Sequence, residues 1–128
     1  MELRRPPILA SRKILIAEDN FLEAEDMRQA VISAAGVVLG PAPSIQQSLW
    51  LIDQDRPDAA PVSAVVGGLP ATLVIKRLDA LGIPFMVVTG YAREVLPPEL
   101  SSAPYVGKPF YREELIEGLV AALDLPAG

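Results

Sequence analysis

The chain has no cysteine and no histidine among its 128 residues. Without thiols there is no disulfide framework and no thiolate zinc site. Without imidazole there is no histidine metal ligand, no Ser-His-Asp triad and no histidine phosphoacceptor in this chain. Aromatic residues are few, with one Trp, three Tyr and three Phe. No apolar run approaches the roughly 20 residues that span a bilayer. The start lacks the continuous apolar segment of a secretion signal, so a cytoplasmic location without a membrane partner is expected. Phosphate loops of the G-x-G-x-x-G or G-x-x-x-x-G-K-[ST] type are missing, which counts against a nucleotide-dependent enzyme. The net charge of −5 counts against a nucleic-acid duplex as partner.

What is present suits one globular domain: 51% of residues are apolar and 21% are charged. Residues 1–11, with Arg4, Arg5 and Pro6-Pro7, read as a flexible tail, and 12–125 as a single domain. Lys13-Ile14-Leu15-Ile16-Ala17 is a continuous apolar run, the pattern of a strand covered on both faces. Asn20 is placed to cap a helix whose inward face is Phe21, Ala24, Met27, Val31 and Ala34, with Gly36 as its stop. Val37-Val38-Leu39-Gly40 is the second strand. Ser44 caps a second helix with Ile45, Leu49 and Ile52 inward; Trp50 lies on that helix and nothing marks it as functional.

Residues 59–66 read as the third strand, with Pro61 near its start or at a bulge because proline cannot donate to a ladder. Gly67-Gly68 is a turn, and the next helix carries Leu73, Ile75 and Leu78 before Gly82 stops it. Phe85 to Thr89 is the fourth strand. Pro97, Pro98 and Pro104 leave room only for a short or irregular fourth helix. Tyr105-Val106-Gly107 is the fifth strand, and a last helix over 112–124 buries Leu115, Leu119 and Leu123. This alternation predicts an α/β fold: a doubly wound, five-stranded parallel sheet in the order 2-1-3-4-5, with helices on both faces.

In such sheets, sites lie beyond the carboxyl ends of the strands, where the strand order reverses. The first strand delivers Glu18 and Asp19 there, the third Ser63, the fourth Thr89 and the fifth Lys108. Adjacent carboxylates suit a hard divalent cation such as magnesium. A hydroxyl and a lysine opposite them suit phosphoryl oxygens. A direct Asp19–Lys108 ion pair is expected, because either charge buried alone would be costly.

These residues in this order resemble the receiver domains of two-component response regulators, over roughly residues 12–124. Glu18 and Asp19 match the family's acidic pair, Thr89 its hydroxyl, and Lys108 its lysine, which is followed through a cis bond by Pro109. Phe85 to Tyr91 resembles the subgroup whose fourth strand reads Phe-Ala-Thr-Gly-Tyr. Tyr91 and Tyr105 match switch aromatics. The resemblance also implies that the backbone carbonyl of Val65 belongs to any metal site. The family's phosphoacceptor is an aspartate ending the third strand. Related receivers read Asp-Ala-Ala-Leu-Leu-Asp-Val-Asn-Leu-Gly-Gly where this chain has Asp58 to Gly68, and the acceptor position falls on Ser63.

A serine hydroxyl with no histidine base is a weak nucleophile. The expectation is therefore a stand-alone degenerate receiver that is not an enzyme and acts through protein–protein interaction without phosphorylation. It requires no cofactor, and at most binds magnesium weakly. Its expected partner is a histidine kinase or another signalling protein, with homodimerisation through the 91–124 face as an option. A working phosphoreceiver, with another acceptor or with aspartate in a natural parent, is the second reading. A small nucleotide- or phosphate-binding protein on a similar sheet is the third.

Overall fold

The computed structural model describes residues 7–90, 98 and 103–124. The elements follow in the order β1 (Lys13–Ala17), α1 (Phe21–Ser33), β2 (Val37–Ala42), α2 (Ile45–Asp55), β3 (Ala60–Ser63), β4 (Val65–Val66), β5 (Leu69–Pro70), α3 (Thr72–Ala80), β6 (Phe85–Thr89), β7 (Tyr105–Gly107) and α4 (Arg112–Leu123). Five of these strands form one parallel sheet in the order β2-β1-β3-β6-β7. Setting aside the small β4–β5 hairpin, that is the expected 2-1-3-4-5 order. The order reverses between β1 and β3, so the residues after β1 and at the end of β3 meet at the switch point.

The apolar runs are continuous because alternate residues of each strand enter different cores. Leu15, Ala17, Val62 and Val87 pack with Ile45, Ile52, Val74, Ile75 and Leu78 of α2 and α3. Ile14, Ile16, Met86 and Val88 pack on the other face with Met27, Val31, Leu115 and Leu119 of α1 and α4. β1 and β6 thus anchor helices on both faces of the sheet.

Several sequence expectations are corrected. Leu9 is fully buried in the α1–α4 core, and its N–H donates to the Ala34 carbonyl at 3.0 Å. The ordered domain therefore begins before residue 12, and residues 7–11 are not a free tail. Phe21 opens α1 but is 80% exposed; the helix buries Ala24, Met27, Ala30 and Val31 instead. Leu73 is exposed, and α3 buries Val74, Ile75 and Leu78. Its apolar residues are too densely spaced for periodicity alone to choose the face. In α1 the left-handed residue after the helix is Ala35, not Gly36. Gly36 is required for a different reason: a Cβ there would lie 2.7 Å from Val31 Cγ1.

The third strand is shorter than the sequence suggests. β3 pairs with β6 from Ala60 to Ser63, and the chain then turns away. Val65 and Val66 pair antiparallel with Pro70 and Leu69 across a two-residue turn. Gly67 and Gly68 both have positive φ, 60° and 78°, which a turn of this type requires. Pro61 is the second residue of β3. Its missing N–H falls on the β1 side, where the ladder is reduced to bridges at Ile14↔Ala59 and Ala17↔Val62. The expectation for residues 91–104, Tyr91 included, falls largely on positions outside the described residues.

Candidate functional site

Glu18 is the centre of the site. It follows β1, and the residue is 2% exposed. Its Oε1 accepts from Ser63 Oγ and from Lys108 Nζ, the latter at 2.7 Å. Its Oε2 accepts from the Asn20 N–H at 2.9 Å. The buried carboxylate is thus fully partnered, as a buried charge requires. Ser63 reaches it because β3 lies beside β1 and ends in register with Val88 of β6. Lys108 reaches it from the end of β7, its N–H held by the Thr89 carbonyl at 2.8 Å. Thr89 ends β6 and is buried. The Lys108–Pro109 peptide is cis, as is Gly40–Pro41.

The expected Asp19–Lys108 pair does not form. Lys108 Nζ binds Glu18 and also Glu23 Oε2, at 2.6 Å, while Asp19 Oδ2 accepts the Gly67 N–H at 2.9 Å. Asp19 therefore pins the hairpin turn rather than the lysine. Glu23 was not singled out from sequence because it lies inside α1 rather than at a strand end. The signal was nevertheless there. Asn20 caps the helix through the Glu23 N–H at 3.0 Å, which makes Glu23 the third helical residue. A glutamate at that position commonly reaches back to the cap residue's own N–H. Here Glu18 already holds that N–H, which leaves the Glu23 carboxylate for Lys108.

Burial lowers the Lys108 pKa, but the hydrogen bonds to Glu18 and then Glu23 outweigh it and hold the value above that of an ordinary lysine. The ammonium therefore stays charged across the physiological range. Two positions complete the rim. Val65 is exposed and lies opposite Pro70 in the β4–β5 hairpin. Tyr105 opens β7, half-buried. Beside the acidic residues runs an apolar cleft of about 340 Å³, lined by Glu18, Asp19, Phe21, Ala24, Glu25, Arg28, Pro41 and Pro43.

A magnesium ion needs near-octahedral oxygen ligation and tolerates no cation within its shell. Glu18 spends both oxygens on Asn20, Ser63 and Lys108, and Asp19 spends one on Gly67. As arranged, these residues do not fit magnesium.

No protein-family model and no curated protein matches this sequence. Solved structures do. The response regulator PhyR from Brucella abortus superposes with a TM-score of 0.78 at 24% identity, over 92% of this chain and 50% of that one. The fold is the receiver fold. SdrG from Sphingomonas melonis Fr1 matches this receiver fold with a TM-score of 0.78 at 26% identity, over 90% of this chain and 98% of that one. The receiver domain of the sensor histidine kinase PA1611 from Pseudomonas aeruginosa PAO1, which has magnesium in its active-site cleft, gives 0.75 at 21% identity, over 90% and 99%. The chain spans about half the length of the PhyR structure it matches. Among the described residues, no helix is long and apolar enough to cross a membrane.

Proposed function

We propose that this chain is a degenerate receiver that signals through protein–protein contact rather than through an aspartyl phosphate. The observation that carries the reading is Ser63. It closes the central strand of a receiver fold, faces Glu18, and lies where the strand ends converge with Thr89 and Lys108. A phosphoacceptor at that place must be a nucleophile reachable by its donor. Ser63 is 1% exposed and its hydroxyl donates a hydrogen bond to Glu18, so it is neither accessible nor aimed outward. The receiver neighbours, among them a response regulator and a receiver from a histidine kinase, support a signalling role in a two-component circuit.

On this reading the chain is not an enzyme, and it works in the cytoplasm without a required cofactor. Its partner is a histidine kinase or another signalling protein. The 91–124 face is offered as the contact surface, to a partner or to a second copy. Incubation with magnesium and a small phosphodonor, followed by intact mass measurement, tests the reading. The expected result is no added phosphoryl group on the wild type and a gain on Ser63→Asp, which returns a carboxylate to the acceptor position. A phosphoryl gain on the wild type would refute it.

A further inference from the structure

The pocket contains a cation of its own. Lys108 Nζ lies between two carboxylates that belong to different structural units: Glu18 at the end of β1 and Glu23 inside α1. Glu18 is buried, with its side chain 1% exposed; Glu23 is 36% exposed and closes the outer side of the ammonium. The lysine therefore spans from the buried to the open side of the pocket. Its backbone is tied to β6 through Thr89, so the ammonium is placed by the sheet and not by a mobile loop.

We propose that the Lys108 ammonium is the resident cation of this pocket, positioned by Glu23, and that it excludes divalent metal from Glu18 and Asp19. The proposal rests on the degenerate-receiver reading and deepens it, since it names what fills the pocket's acidic end. For a metal ion to take Glu18 Oε1, the ammonium would have to leave. It would then abandon two charge-assisted bonds and stand beside a dication. Ser63 completes the exclusion. An aspartate there would add a further carboxylate to a cluster whose two carboxylates already outnumber its one ammonium, whereas serine donates a hydrogen bond to Glu18. The short hydroxyl thus adds no charge that a second cation would have to balance.

Titrating magnesium and manganese into the wild type and three variants tests this, with thermal shift and manganese broadening of amide signals as readouts. The wild type and Lys108→Arg, which keeps the charge, are expected to give no saturable response. Lys108→Met is expected to melt at lower temperature and to recover with magnesium, with manganese broadening centred on Glu18, Asp19 and Glu23. Should Lys108→Met fail to fold, Lys108→Gln serves in its place, because its amide still donates to Glu18. A folded, neutral variant that ignores both metals would overturn the proposal, as would a saturable wild-type response at these residues. The role of Glu23 is read separately: Glu23→Gln is expected to lower the titration midpoint of Lys108, and an unchanged midpoint would remove Glu23 from the account. A wild-type metal response without phosphoryl gain sinks this proposal alone. A phosphoryl gain sinks the reading beneath it.

Discussion

Replacing Glu18 by Gln keeps the side chain's shape while removing its charge and one acceptor. Three donors converge on this carboxylate: Ser63 Oγ, Lys108 Nζ and the Asn20 N–H. An amide has a single oxygen. If that oxygen takes the Oε1 place, the NH₂ faces the Asn20 N–H; if it is flipped, the NH₂ faces the ammonium. Either way one partly buried donor loses its acceptor, at a cost of about 1–3 kcal/mol at most, and the charge assistance in the remaining bonds is lost. Lys108 keeps Glu23 and some water, which limits the damage. A net loss of about 2–4 kcal/mol follows, a large share of the roughly 5–15 kcal/mol that holds such a domain together. Urea unfolding reads it as a lower midpoint at unchanged slope. Asp19→Asn is the control, because Asp19 accepts one N–H at an exposed turn and should lose under about 1 kcal/mol. Equal losses in the two variants, or a larger loss at Asp19, would refute the assignment of Glu18 as the carboxylate that holds the lysine.

Lys108 has a raised pKa in the folded state, so its contribution is complete below the ordinary lysine value of 10.5 and is lost as pH rises through the folded value. Urea midpoints should therefore fall on the alkaline side, and Lys108→Met should flatten that fall; an unchanged alkaline profile would contradict the ion cluster. Ser63→Ala should cost about 1 kcal/mol, because Glu18 keeps two of its three donors; a stabilised variant would show that the hydroxyl is not bonded to Glu18. Gly40→Ala should destabilise by more than about 2 kcal/mol: its φ is +91° and a Cβ would lie 2.6 Å from the Ala42 nitrogen. Gly82→Ala, with φ +68° and open space around it, should cost only about 1 kcal/mol, and the difference between the two variants is the check.

The sheet was legible because its strands are buried on both faces and so read as unbroken apolar runs. Lys13 to Ala17 and Phe85 to Thr89 are identified by that alone. The site followed from topology: once β1, β3, β6 and β7 are parallel neighbours, Glu18, Ser63, Thr89 and Lys108 must meet at one edge. Which carboxylate takes the lysine was not legible. Adjacent residues at a strand end point in different directions, and the choice depends on a helix cap that draws Glu18 inward and frees Glu23. The β4–β5 hairpin was hidden for a related reason. Val62 to Val66 reads as one strand by composition, and only the backbone freedom of Gly67 and Gly68 lets the chain fold back at that point. Leu9 was missed because one leucine among prolines and arginines has no periodicity to reveal it. Its burial comes from the groove left by Val31 and Gly36.

As proposed, the pocket is closed to phosphoryl chemistry by its own ion cluster. Amide NMR of the wild type titrated with magnesium and beryllofluoride, a phosphoryl mimic, tests it most directly. The account predicts no saturable change at Glu18, Asp19, Ser63, Thr89 or Lys108. Saturable shifts centred on those residues would mean that the pocket still accepts a metal and a phosphoryl group, and would contradict it.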